Sequence, residues 1–97
     1  MQTYVIRRRD GWKTPEELAE AAARSTAEGE AMPDDIRWIR SYVVEEPDGS
    51  LGTVCIYQAS SPEKIREHAR RVGMPADEIS LVADTVYVRP DPAPVAA

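Results

Sequence analysis

One cysteine, one histidine and no apolar run that approaches the roughly 18 residues of a membrane span mark this 97-residue sequence by what they exclude. A single thiol forms no internal disulfide framework, and no paired Cys and His spacing resembles a zinc knuckle, so the chain reads as a reduced, cytoplasmic protein. Met1-Gln2-Thr3-Tyr4 leads straight into a strand-like run, without the apolar stretch of a signal peptide. Basic residues are the minority, 12 Lys and Arg against 17 Asp and Glu, for a formal net charge of −5. Arg7-Arg8-Arg9 is the one sustained basic run, so neither nucleic acid nor an anionic membrane is an expected partner. There is no P-loop, dinucleotide-binding glycine fingerprint or nucleophile elbow, which leaves kinase, NAD-dependent and serine-hydrolase chemistry unsupported. The acidic pairs Asp34-Asp35 and Glu45-Glu46 lack calcium-loop spacing and read as solvated surface.

What is present, 42% hydrophobic and 30% charged residues, fits one compact domain. A chain of this length hides roughly 60–68% of its unfolded surface, a thin margin that a dimer would relieve. Thr3-Tyr4-Val5-Ile6-Arg7-Arg8 reads as a first strand stopping at the turn pair Asp10-Gly11. Thr14-Pro15-Glu16-Glu17 starts a helix with a cap, a first-turn proline and a capping-box glutamate. That helix runs to about Gly29 behind a stripe of small residues, Leu18, Ala21, Ala22 and Ser25. Residues 36–44 form a second strand, and turn chemistry at Pro47-Asp48-Gly49-Ser50 returns the chain through a third at 53–58. Ser61-Pro62-Glu63 opens a second helix with Ile65, His68, Ala69 and Val72 on its buried stripe and Gly73 at its end. Residues 78–88 read as a fourth strand, and Pro90, Pro92 and Pro94 forbid further pairing.

The order βαββαβ predicts an α+β, ferredoxin-like domain over residues 1–88, with a Pro-rich flexible tail at 89–97. Two helices cover one face of a four-stranded antiparallel sheet and leave the other bare. The aliphatic Ile39, Val43, Val54 and Ile56 suit the covered side, which sends Trp38, Tyr42, Cys55 and Tyr57 to the open one; a single bulge would exchange the faces. An open aromatic face argues for a sheet-on-sheet dimer, in the manner of a dimeric α+β barrel, or for a ligand chamber.

At Thr14-Pro15-Glu16-Glu17-Leu18, Arg37-Trp38-Ile39-Arg40-Ser41-Tyr42-Val43, Cys55-Ile56-Tyr57-Gln58-Ala59, and Arg66-Glu67-His68-Ala69 through Gly73-Met74-Pro75-Ala76, the chain resembles a small bacterial family. These are the nickel-responsive, nickel-binding ferredoxin-like proteins, formerly a domain of unknown function, and the match spans about residues 3 to 88. The resemblance implies a small metal-binding protein, a homodimer with nickel as the expected metal and ligands shared between chains. It brings Trp38, Ser41, Tyr42, Cys55, Tyr57, His68, Gly73 and Pro75 into the family pattern.

As metal ligands the sequence offers His68 first and Cys55 second, since nickel(II) is best held by imidazole, thiolate and carboxylate. Each has a plainer reading, His68 as a packed helix residue and Cys55 as a small buried hydrophobe. Trp38, Arg40, Tyr42 and Tyr57 supply flat rings and a fixed positive charge, the makings of a ligand pocket on the open sheet face. Three functions stay open: a nickel-binding protein; a small-molecule-binding protein or cofactor-independent enzyme with His68 as acid or base; and a non-catalytic dimeric interaction module whose aromatics form only the interface.

Overall fold

Both helices begin where cap chemistry directs. In the computed structural model, which describes residues 1–94, α1 (Pro15–Glu30) starts with Thr14 Oγ1 accepting the Glu17 N–H at 3.2 Å. The Glu17 carboxylate reaches back one residue beyond the cap, accepting the Lys13 N–H at 2.7 Å, so the Glu17 N–H of the first turn is satisfied and the entering chain is tied to the helix. α2 (Pro62–Val72) starts with Ser61 accepting the Lys64 N–H and ends at Gly73, whose φ of 83° is the left-handed conformation that glycine adopts without cost. Arg70 and Arg71 in its last turn oppose the negative end of the helix dipole.

The strands are β1 (Gln2–Trp12), β2 (Ile36–Glu45), β3 (Leu51–Ala59) and β4 (Glu78–Leu81), in the sheet order β2-β3-β1-β4 with every pair antiparallel. This is the predicted βαββαβ ferredoxin-like arrangement, α+β, with both helices on one face. Tyr4, Ile6, Cys55, Tyr57 and Ala59 face those helices and join Met32, Ile36 and Ile65 in the core.

Three expectations are corrected. Asp10-Gly11 does not end β1: Asp10 takes a left-handed φ of 50°, the register against β3 shifts between Arg8 and Trp12, and the strand bends and continues until Trp12 is buried. β4 stops at Leu81 instead of Val88 because it runs antiparallel to β1 and reaches the start of that strand. Leu81 pairs with Tyr4 and the Val82 N–H donates to Thr3 O, beyond which β1 has almost no backbone left to pair. Of the proline-rich segment, Asp91 bonds to Arg40 and Tyr42, and 95–97 lie outside the described residues.

The third correction concerns the faces. Trp38 pairs with Tyr57, yet Arg40 pairs with Ile56, so Ile39 is an extra residue and β2 is bulged there. Trp38, Ser41 and Val43 therefore share the helix-covered side with Cys55 and Tyr57, whereas Arg40 and Tyr42 lie with Val54 and Ile56 on the open side. Apolarity misdirects the assignment because Tyr57 is buried through its hydroxyl, which meets Ser25 of α1, a partner no side-chain hydrophobicity scale registers.

Candidate functional site

Strand alternation turns Tyr4, Ile6 and Arg8 of β1 inward, and Arg8 is consequently a cation only 1% exposed beneath the helices. Beside it on β3 come Thr53, Cys55 and Tyr57, in register through the pairs Arg8–Thr53 and Ile6–Cys55. Above them α1 offers only small groups at Ala22, Ser25 and Gly29. A helix with so little side-chain volume does not fill the space over the edge strand β2. A cleft of about 910 Å³ remains there, with Trp12, Leu18, Ala22, Trp38 and Val43 among its walls and Arg8, Tyr57 and His68 on its polar side.

Tyr57 organises that polar side. Its ring stacks on Trp38, centroids 5.9 Å apart and planes within 7°, and its hydroxyl lies 3.1 Å from Ser25 Oγ. The Arg8 guanidinium stands over the same ring at 5.7 Å. Burial raises the Tyr57 phenol above its ordinary value, against the pull of the Ser25 bond and the Arg8 charge, so it stays protonated.

His68 is 1% exposed and tilts against Tyr57, centroids 5.7 Å apart. Its Nε2 lies 3.0 Å from the Ser25 carbonyl oxygen, which only accepts, so Nε2 carries the proton. Nδ1 of the neutral ring is then a lone pair, buried and without a partner. Burial depresses the His68 pKa, and the positive charge of Arg8 acts the same way, against the Ser25 bond that favours the protonated ring. Such a group is a weak base held neutral at pH 7, equipped to accept a hydrogen bond or a proton from a molecule in the core.

Trp38, Cys55, Tyr57 and His68 are thus gathered on one cleft, under the helices. Arg40 also borders it, yet its guanidinium turns to the other side of the sheet and pairs with Asp91 at 3.1 Å. Tyr42 lies wholly on that other side, donating to Asp91 at 2.8 Å, and the two bonds hold the Asp91 carboxyl below its usual range. Cys55 donates its thiol to Thr53 Oγ1 at 3.2 Å. Among the described residues no three His, Cys, Asp or Glu side chains converge as a metal would require, so the donor set of one chain does not by itself fit nickel.

Sequence reasoning missed Arg8, Ser25 and Thr53. Arg8 hides inside a three-arginine run, and the signal that separates it is its period-2 phase with Tyr4 and Ile6. Its neighbours behave differently: Arg7 pairs with Glu46, and Arg9 with Glu78.

The family described as "Nickel responsive protein SCO4226-like" matches residues 4–82. Among solved structures, the crystal structure of SCO4226 from Streptomyces coelicolor A3(2) superimposes with a TM-score of 0.67 at 19% identity, over 87% of this chain and 99% of that one, a likeness of fold. No curated protein matches the chain.

Proposed function

The chain belongs to the SCO4226-like family of nickel-responsive proteins, and from that premise we propose that it is a small-molecule-binding protein whose ligand enters the cleft between α1 and β2. The observation that carries this reading is the junction of an apolar cleft with a buried polar cluster. At about 910 Å³ the cleft is the size of an ordinary ligand pocket, and convergent polar groups in an apolar wall are how such pockets orient what they bind. Trp38 and Tyr57 supply a stacked aromatic surface, and His68 is the acid-base candidate if the bound molecule reacts. The test is a titration with uncharged aromatic compounds such as 1-naphthaleneacetamide, read by the fluorescence of Trp12 and Trp38. Saturable binding of one molecule per chain, lost when Ala22→Trp fills the cleft, supports the reading; no saturable binding of either the amide or its carboxylate counterpart removes it.

The family description favours a second reading, a nickel-binding homodimer in which His68 and Cys55 act as ligands and a second chain completes the set. The buried lone pair on His68 Nδ1 supports it, and a single free thiol accords with a reducing, cytoplasmic setting. Calorimetric titration of metal-free protein with nickel, beside His68→Ala, tests it: a fixed number of ions per dimer that vanishes in the variant supports His68 as ligand, and unchanged uptake removes that role.

A further inference from the structure

Arg8 is the most deeply buried charge among the described residues, and it has no counter-ion. Its Nη1 donates to the Pro75 carbonyl oxygen at 2.7 Å, while Nε and Nη2 have no partner. The nearby carboxylates are engaged elsewhere: Glu46 accepts from Arg7 and from the Asp10 N–H, Asp77 from the Arg9 N–H, and Glu78 from the Arg9 side chain. A buried guanidinium with no anion opposite it is costly, and the cost is removed when an anion arrives. The two unpartnered nitrogens lie along one edge of the guanidinium, the edge whose parallel N–H groups match the two oxygens of a carboxylate. Arg8 also lines the cleft, whose walls are otherwise apolar at Trp12, Leu18, Ala22 and Val43.

We infer that the ligand is a small monocarboxylate with an apolar, ring-bearing body, its carboxylate paired with the Nε and Nη2 edge of Arg8 and its body lying between α1 and β2. This rests on the cleft being a ligand site and adds the chemical class. A monoanion suits the single buried cation, since Arg37 and Arg40, the other arginines bordering the cleft, are exposed to solvent. Trp38 and Tyr57 give the body an aromatic surface to lie against, with the Tyr57 hydroxyl as a neutral donor nearby.

The experiment compares two probes of one shape and different charge, 1-naphthaleneacetate and 1-naphthaleneacetamide, on the wild-type chain and on Arg8→Met. The wild type binds the acid at least about tenfold more tightly than the amide, the usual worth of a hydrogen bond to a charged group. Arg8→Met binds both alike, near the wild-type amide affinity, and its ligand-free unfolding midpoint rises because the unpaired charge is gone. Arg8→Lys, which keeps the charge without the fork, retains only part of the preference. Equal affinities in the wild type with saturable amide binding overturn the carboxylate assignment and leave the cleft reading standing; failure of both probes to bind overturns both. A folded Arg8→Met protein that still prefers the acid overturns the role of Arg8, and the acid-amide comparison on the wild type decides the ligand class without any variant.

Discussion

His68 and Tyr57 share the Ser25 residue of α1, one through its carbonyl and the other through its hydroxyl, so a single position on a small-residue helix satisfies two buried polar rings. That arrangement gives the molecule a pH dependence. The folded pKa of His68 lies below its ordinary 6.5, so the unfolded chain binds the proton more readily, and the stability due to this residue is complete above pH 6.5 and is lost as pH falls from there toward the folded value. Thermal unfolding between pH 7.5 and 5 falls more steeply for the wild type than for His68→Gln; superimposable profiles would contradict the burial argument. Tyr57→Phe keeps the Trp38 stack and removes only the hydroxyl, at an expected cost of about 1 kcal/mol read from the urea midpoint, because the buried Ser25 hydroxyl loses its partner. His68 and Tyr57 were legible as candidates from the sequence. Their common side was not, because Tyr57 turns toward the helices through a hydroxyl that meets Ser25 of α1, a contact between two layers that strand alternation does not register.

Two glycines show how the same change has opposite signs in different elements. At Gly52 of β3 an added Cβ would sit 2.6 Å from the Arg8 carbonyl oxygen and 2.9 Å from Glu46 Oε2, where the β1 bulge brings backbone and the Arg7–Glu46 pair against the strand. Gly52→Ala is expected to cost about 1–3 kcal/mol by overpacking, since a backbone oxygen cannot step aside as a flexible side chain does. At Gly29, within α1, the added Cβ meets His68 Nε2 at 3.7 Å, an ordinary contact. Gly29→Ala is expected to stabilise the protein by about 0.5 kcal/mol through helix propensity. Denaturant midpoints of the two variants on either side of wild type check the pair, and a stable Gly52→Ala protein would show that β1 and β3 are less tightly apposed than described. Both helices were legible to within a residue, because capping is local chemistry; the end of β4 was not, because it depends on where its partner strand begins.

For the molecule as a whole, β2 is an edge strand that leaves Ile39, Tyr42 and Val43 about half exposed. Apolar edges of this kind invite a second chain, and the small core of a domain this size gains from one. Sedimentation is expected to give twice the 10.8 kDa of the single chain, with Val43→Lys shifting the mass toward one chain; a wild-type mass of one chain would remove the proposed homodimer and, with it, the shared metal site. Among the described residues no helix is long and apolar enough to cross a membrane.

The order of elements, their caps and the βαββαβ plan follow from the sequence alone, because periodicity, prolines and capping residues act over a few neighbouring positions. The family relationship was legible for the same reason, in short runs whose order and spacing survive. Tertiary structure alone decided which face of the sheet the helices cover, that Arg8 is buried while Arg7 and Arg9 find carboxylates, and that a cleft opens beneath α1. Each of these depends on what lies across a strand pair or between two layers, and such contacts join residues 32 to 69 positions apart, as in Tyr57 with Ser25 and Arg9 with Glu78. Burial and an unpaired charge are properties of that juxtaposition, which no local pattern of residues encodes.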